Sequence, residues 1–229
     1  MNSGQPSFTG TGTPIVAEPP SVSGSTARTV TTLLHRFTVK PHHLDAYLPL
    51  WTEEVAVRRR HGFDVHRAFV ETDAEPKFTW LYSHDDPAAG EAAVRSDPNT
   101  ADIEARKTGH VFANLRVRPV RVEVLNPPGN LSRTAIMRRY SITGSWREFL
   151  EIWRRVLAVR ERYGFDCLFA VADEPTNMFT WAFGFDGQWA DFREAQRPYY
   201  ADPERVALRG VFDYMADYDI HPARQIAIP

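Results

Sequence analysis

Apolar positions change their period along the chain in a fixed order. Leu33–Val39 is a short β-rich run and predicts a strand. Leu44, Tyr47, Leu48, Trp51 and Val55 then recur at helical spacing and predict a helix with one buried face. Gly62 stands where a left-handed residue would stop that helix. Phe63–Val70 and Phe78–His84 predict two strands joined by an acidic, proline-containing turn. Asp86–Arg95 predicts a short helix, Pro98–Asn114 a longer one, and Arg116–Leu125 a last strand. The order is β-α-β-β-α-β, a ferredoxin-like unit.

The pattern then starts again. Trp51–Asp64 (WTEEVAVRRRHGFD) and Trp153–Asp166 (WRRVLAVRERYGFD) are identical at 8 of 14 positions, at an offset of 102. Trp146, Phe149, Leu150, Trp153 and Leu157 repeat the helical spacing, and Gly164 repeats Gly62. Phe78-Thr79-Trp80 answers Phe179-Thr180-Trp181, and Ser96-Asp97-Pro98 answers Ala201-Asp202-Pro203. A period near 100 residues means a duplicated domain. The expected layout is a disordered Ser/Thr/Gly/Pro tail at 1–30, one domain at 31–125, a turn-rich linker at 126–130 and a second domain at 131–229. A ferredoxin-like sheet has helices on one face only. Its other apolar face needs a partner, and here the chain supplies it. The expected class is α+β, two tandem ferredoxin-like units forming an intramolecular barrel.

Composition narrows the function. Net charge is −2, so no basic field exists to hold a nucleic-acid backbone. One cysteine, Cys167, excludes a disulfide framework and a CxxC zinc site. No run of 18 apolar residues occurs, so no membrane span is expected, and the start lacks the pattern of a secretory signal. We expect a cytoplasmic protein with a small-molecule substrate, no membrane or nucleic-acid partner, and homodimer formation left open. P-loop, GxGxxG and nucleophile-elbow motifs are missing, which disfavours ATP, NAD and acyl-serine chemistry.

The run Arg36-Phe37-Thr38-Val39-Lys40-Pro41, then Tyr47-Leu48-Pro49-Leu50-Trp51, His61-Gly62-Phe63, Trp80 and Ser96-Asp97-Pro98, resembles a NIPSNAP domain. The resemblance extends over both copies and implies the dimeric α/β barrel group. That wider group contains cofactor-free oxygenases of aromatic polyketides, lactone isomerases, dehydratases, haem enzymes and proteins with no known chemistry. It implies no invariant catalytic motif that can be carried over residue by residue.

Duplication provides an internal control, because chemistry present in one copy only is a candidate site. His35, His66, Tyr82 and His84 of the first copy align with Arg138, Leu168, Phe183 and Phe185 of the second. One reading makes these four an acid–base cluster between sheet and helices, since histidine both accepts and donates protons near neutrality. The other places His35 and His66 at a strand surface or interface and His84 in a loop. Arg58 and its repeat Arg160 can clamp a substrate carboxylate, or can snorkel at the core edge beside a glutamate. Trp51 and Trp80, repeated as Trp153 and Trp181, are core aromatics or the walls of an aromatic-binding pocket. No HxH or HxxxH spacing supports a metal site, and no haem motif is present. No metal and no organic cofactor are expected. Cys167 lacks a basic neighbour and reads as inert.

These observations lead to two function classes. The first is a small-molecule enzyme without organic cofactor, acting by proton transfer on an apolar, aromatic or polyketide-like intermediate, with isomerisation, cyclisation, dehydration or cofactor-free oxygenation as outcomes. The second is a non-catalytic small-molecule-binding or scaffold protein.

Overall fold

The computed structural model describes residues 30–73, 75–112, 116–131 and 133–229. The expected tail, apart from Val30, lies outside the described residues. The first half runs β1 (Thr31–Thr38), α1 (Leu44–Arg60), β2 (Asp64–Glu71), β3 (Lys77–His84), α2 (Pro87–Ser96), α3 (Thr100–Thr108) and β4 (Arg116–Leu125). The second runs β5 (Thr134–Ile142), α4 (Trp146–Glu161), β6 (Cys167–Asp173), β7 (Met178–Phe185), the short helices α5 (Phe192–Ala195), α6 (Arg197–Ala201) and α7 (Pro203–Ala207), and β8 (Met215–Ile226). No helix among the described residues is long and apolar enough to cross a membrane.

The eight strands close into one antiparallel barrel in the order β1-β3-β2-β8-β5-β7-β6-β4. Each half keeps the ferredoxin-like order, with its last strand beside its first. Two seams join the halves. At one, Ala68–Glu71 pairs with Ala223–Ile226; at the other, Arg121–Leu125 pairs with Phe169–Ala172. Closure leaves no free sheet edge at either seam.

Strand alternation sorts the side chains into an inside and an outside. Leu34, Phe69 and Leu81 of the first half meet Ala135, Met137, Phe169 and Ala182 of the second inside the barrel. Phe69 and Phe169 touch across it, with ring centroids 5.2 Å apart. The opposite parity faces the helices and forms a separate core in each half. Trp51 of α1 stands edge-on to Trp80 of β3 at 5.8 Å, and Trp153 of α4 stands likewise to Trp181 of β7 at 5.6 Å.

Two expectations need correction. Thr100–Thr108 is shorter than the helix expected over 98–114. Val111 leaves it to bridge Val39, with the Lys40 amide donating to the His110 carbonyl and the Phe112 amide to the Thr38 carbonyl. In the second half, regular helices give way to α5, α6 and α7, flanked by 3-10 turns at Trp189–Asp191 and Arg209–Tyr214. Pro198 and Pro203 each stand in the first turn of a new helix and cannot sit inside a long one. The copies therefore match in their sheets and first helices, and differ in the helical segments after their third strands.

Gly62 and Gly164 have φ of 84° and 79°, the left-handed region that ends a helix. A Cβ on Gly62 would stand 3.0 Å from His84 Nε2. Gly62→Ala should therefore cost about 1–2 kcal/mol from backbone strain alone. Chemical denaturation checks this, and a change within error would show that the turn can relax.

Candidate functional site

In the first half the layer between α1 and the sheet holds more polar chemistry than a core normally tolerates. Register places His35 opposite Trp80 and Leu33 opposite Tyr82. His35 therefore lies among Phe37, Trp80 and Tyr82, with ring centroids at 4.9, 5.6 and 6.5 Å. It is 6% exposed, and Trp80 and Tyr82 are fully buried. Neither ring nitrogen of His35 has a hydrogen-bond partner among the described residues, and neither do the Tyr82 and Tyr47 hydroxyls. Buried polar atoms are paired in the great majority of cases, so four unpartnered atoms in one layer set it apart from an ordinary core.

Below them lies a buried charge network. Glu54 of α1 accepts from Arg58 Nε at 3.2 Å and from Lys107 Nζ at 2.6 Å. Arg58 also donates to Glu91 at 2.6 Å, and Lys107 to Glu104 at 2.8 Å. The i,i+4 spacing on α1 brings Glu54 to Arg58. The Arg58 guanidinium lies 4.8 Å from the Tyr82 ring centroid and 5.4 Å from that of Trp80. Burial would lower the Arg58 pKa, but Glu54, Tyr82 and Glu91 hold it above its ordinary value. Burial would raise that of Glu54, yet Lys107 and Arg58 keep it ionised.

This setting decides protonation states. Burial pushes the His35 pKa down to about 4; Arg58 and Lys107 also lower it, and Glu54 opposes them. Burial pushes the Tyr82 hydroxyl well above the usual tyrosine range. Near pH 7 the layer thus presents a neutral imidazole, with one donor and one acceptor nitrogen, beside a protonated phenol.

The structure divides the four candidate catalytic residues. His35 and Tyr82 come together. His84 shares their face, but its nitrogens are committed: Nδ1 accepts from the Asp86 amide at 2.8 Å and Nε2 lies 3.0 Å from the His61 carbonyl. Those bonds set the Nε2–H tautomer and tie the end of β3 to the Gly62 turn. His66 points elsewhere, because a bulge between Val65 and Arg67 shifts the strand. Its Nε2 is 2.8 Å from the hydroxyl of Ser83, whose parity faces the barrel side. Trp51 and Trp80 form one wall of the layer, and Arg58 is engaged by two carboxylates. Sequence reasoning missed Glu54 and Lys107. The available signal was Val156, which stands in the second copy where Glu54 stands in the first.

The second half inverts the electrostatics. Arg138 occupies the position of His35, opposite Trp181, and Arg160 that of Arg58. Both are buried and no acid replaces Glu54. Arg160 lies 4.1 Å from the Tyr199 ring centroid and 4.5 Å from that of Phe183. Such contacts contribute about 0.5–2 kcal/mol each, against several kcal/mol for taking a guanidinium out of water.

A sizeable cavity lies apart from both layers. It is ≈510 Å³, at one mouth of the barrel, lined among others by Arg36, Lys77, Arg118, Asp173 and Thr180. Arg36 pairs there with Glu71 at 2.7 Å and Arg118 with Asp173 at 3.5 Å. Among the described residues no group of three or more His, Cys, Asp or Glu is placed to hold a metal ion. Cys167 is buried, and burial pushes its thiol far above the ordinary range.

No known family profile matches the chain, and no curated protein matches its sequence. Solved structures do match. One is a protein from Fusobacterium nucleatum subsp. nucleatum provisionally assigned as a monooxygenase, 12% identical, TM-score 0.63, covering 86% of this chain and 93% of that one. Another, from Lactobacillus acidophilus with the same provisional assignment, is 10% identical, TM-score 0.60, covering 86% and 94%. A third, an anthrone oxidase-like protein, is 11% identical, TM-score 0.57, covering 86% and 92%. At these identities they establish the fold.

Proposed function

We propose that the layer under α1 is the working site of a small-molecule enzyme without organic cofactor. It acts by proton transfer on an apolar, aromatic or polyketide-like compound, and cofactor-free oxygenation is the favoured outcome. The observation that carries this reading is the juxtaposition of His35, both nitrogens unpartnered, with the equally unpartnered Tyr82 hydroxyl inside an aromatic wall. The NIPSNAP-like residues and the names of the structural neighbours support it as analogy.

In this reading His35 accepts a proton from an acidified C–H or O–H of the substrate. Glu54 favours the imidazolium that forms. Tyr82 donates to the substrate oxyanion, and the Arg58 charge behind the Tyr82 ring stabilises it. With an anthrone, the proton lost from the ring methylene leaves a carbanion that O2 oxidises. The new C–O bond gives a hydroperoxide, which loses water to the quinone, so anthrone plus O2 gives anthraquinone plus water. Trp51 and Trp80 would stack on the flat substrate after the layer opens to admit it.

A soluble anthrone, with quinone absorbance and O2 consumption read together, tests the proposal. Tyr82→Phe should lower turnover by about 10²–10³-fold through loss of one oxyanion donor, whereas His66→Ala should leave it unchanged. Equal loss in both variants, or no oxidation above the uncatalysed rate, would count against it. A second reading, a non-catalytic small-molecule-binding protein, is favoured by the barrel-mouth cavity, whose volume suits a ligand while that of the first-half layer is filled. Saturable anthrone binding without turnover, unaffected by Tyr82→Phe, would support that reading.

A further inference from the structure

The layer under α4 carries two guanidinium groups that no carboxylate among the described residues compensates, their near partner being the Tyr200 hydroxyl. Arg138 is 7% exposed and Arg160 1%. Nε and Nη2 of Arg138 and Nε and Nη1 of Arg160 have no hydrogen-bond partner, and among the described residues no carboxylate pairs with either group. A guanidinium cannot escape by giving up its proton at any ordinary pH. The groups that face the pair are Tyr140 from β5, Tyr199 and Tyr200 from α6, and Arg205 from α7, all neutral or positive in their ordinary states. Arg138 donates to the Tyr140 hydroxyl at 3.3 Å, and Arg205 to that of Tyr199 at 2.7 Å. A cavity of ≈20 Å³ opens between Arg138, Arg160, Trp181 and Tyr199, enough for one water-sized occupant.

The geometry points to a buried binding site for one compact monovalent anion of halide size, held between Arg138 and Arg160. Size excludes anything larger without movement of α6. Entry does not require the barrel to open. The cover is α6 and α7, five residues each, and the 3-10 turn at Arg209–Tyr214, with Tyr200 and Phe212 41% and 49% exposed. Helices so short contain few internal bonds and open at low cost. Tyr200 is the internal competitor for the site. Burial would raise its hydroxyl, but Arg138 and Arg160 outweigh burial and hold it below the ordinary tyrosine value. The site is independent of the chemistry proposed for the first half.

Thermal melts at pH 7 and constant ionic strength, with gluconate as bulky reference anion, test the inference. Chloride should raise Tm saturably, by about 5 °C or more at a hundredfold excess over its Kd. Formate should not, being larger than the cavity; a response to chloride alone assigns the site to halides, and an equal response to formate overturns that size. Arg138→Met should be no less stable than wild type in gluconate, because it removes an unpaired buried charge, and should lose the anion response. If that variant does not fold, loss of the response in Arg160→Gln supports the same conclusion. Equal Tm in all three anions overturns the inference, as does a full response in both variants. So does a tyrosinate absorbance band in wild type at pH 7 that Tyr200→Phe abolishes, since Tyr200 would then be the counter-ion.

Discussion

Replacing His35 by phenylalanine is expected to lower anthrone turnover by about 10²–10⁴-fold, the usual scale for losing a positioned general base. The fold should survive, because neither nitrogen of His35 makes a hydrogen bond that phenylalanine would break. A stability experiment separates this role from mere packing. The His35 pKa falls from 6.5 to about 4 on folding, so between those values the unfolded chain binds the extra proton and the native chain does not. Stability then rises with pH. His35 contributes fully above pH 6.5, and the contribution fades as pH drops towards 4, a loss of about 3 kcal/mol by the linkage relation. Wild type should lose Tm over that window and His35→Phe should lose less of it. The acid limb of kcat/KM in wild type should lie near pH 4 rather than 6.5. An acid limb near 6.5, or His35→Phe at wild-type turnover, would remove His35 from the mechanism.

The parts of the fold that were readable from sequence rest on local physics. Tyr47, Trp51 and Val55 repeat at helical spacing and are buried as that spacing requires. Gly62 and Gly164 stand at left-handed positions where side chains are strained. The ferredoxin-like order followed from the sequence of periods, and barrel closure from an apolar face that needed covering. Less readable features depend on contacts distant in sequence. The end of α3 is set by Val111 pairing with Val39, some seventy residues away, and nothing near Thr108 announces it. The direction of His66 depends on a bulge, and one extra residue undoes any parity count.

The two copies carry different residues at the position of His35 and the same residue at that of Arg58. Arg58 and Arg160 are the same residue at the same place, and repetition suggested the same bland role for both. Their partners differ. Arg58 is held by Glu54 and Glu91, whereas Arg160 looks onto Arg138 and tyrosines. The halves differ in the sign of the surrounding charge, and the single step from Glu54 to Val156 carries much of it. The same comparison yields two layers of opposite character: one buries neutral polar atoms, the other two guanidinium groups with no carboxylate among the described residues.

Glu54→Leu should be the most destabilising single change in the first half, at about 3–5 kcal/mol or beyond. Glu54 is buried and bonds two cations at once. Removing one partner of a buried pair costs in that range because the remaining charge stays desolvated and unpaired. Lys107 would retain only Glu104, and Arg58 only Glu91, both more exposed than Glu54. At about 2–4 °C per kcal/mol for a chain of this size, Tm should fall by roughly 10 °C. Glu54→Gln should fall less, since it keeps the shape and can still accept a hydrogen bond. Lys107→Met placed on Glu54→Leu should recover part of the loss, because it removes a cation that has lost its main counter-charge; a double-mutant cycle measures that coupling. The lesion should also reach the chemistry. Glu54 is the group that raises the His35 pKa, so Glu54→Gln should make His35 a weaker base and move the acid limb further down. A Glu54→Leu variant within about 1 kcal/mol of wild type would mean that Arg58 and Lys107 reach water more easily than their burial implies.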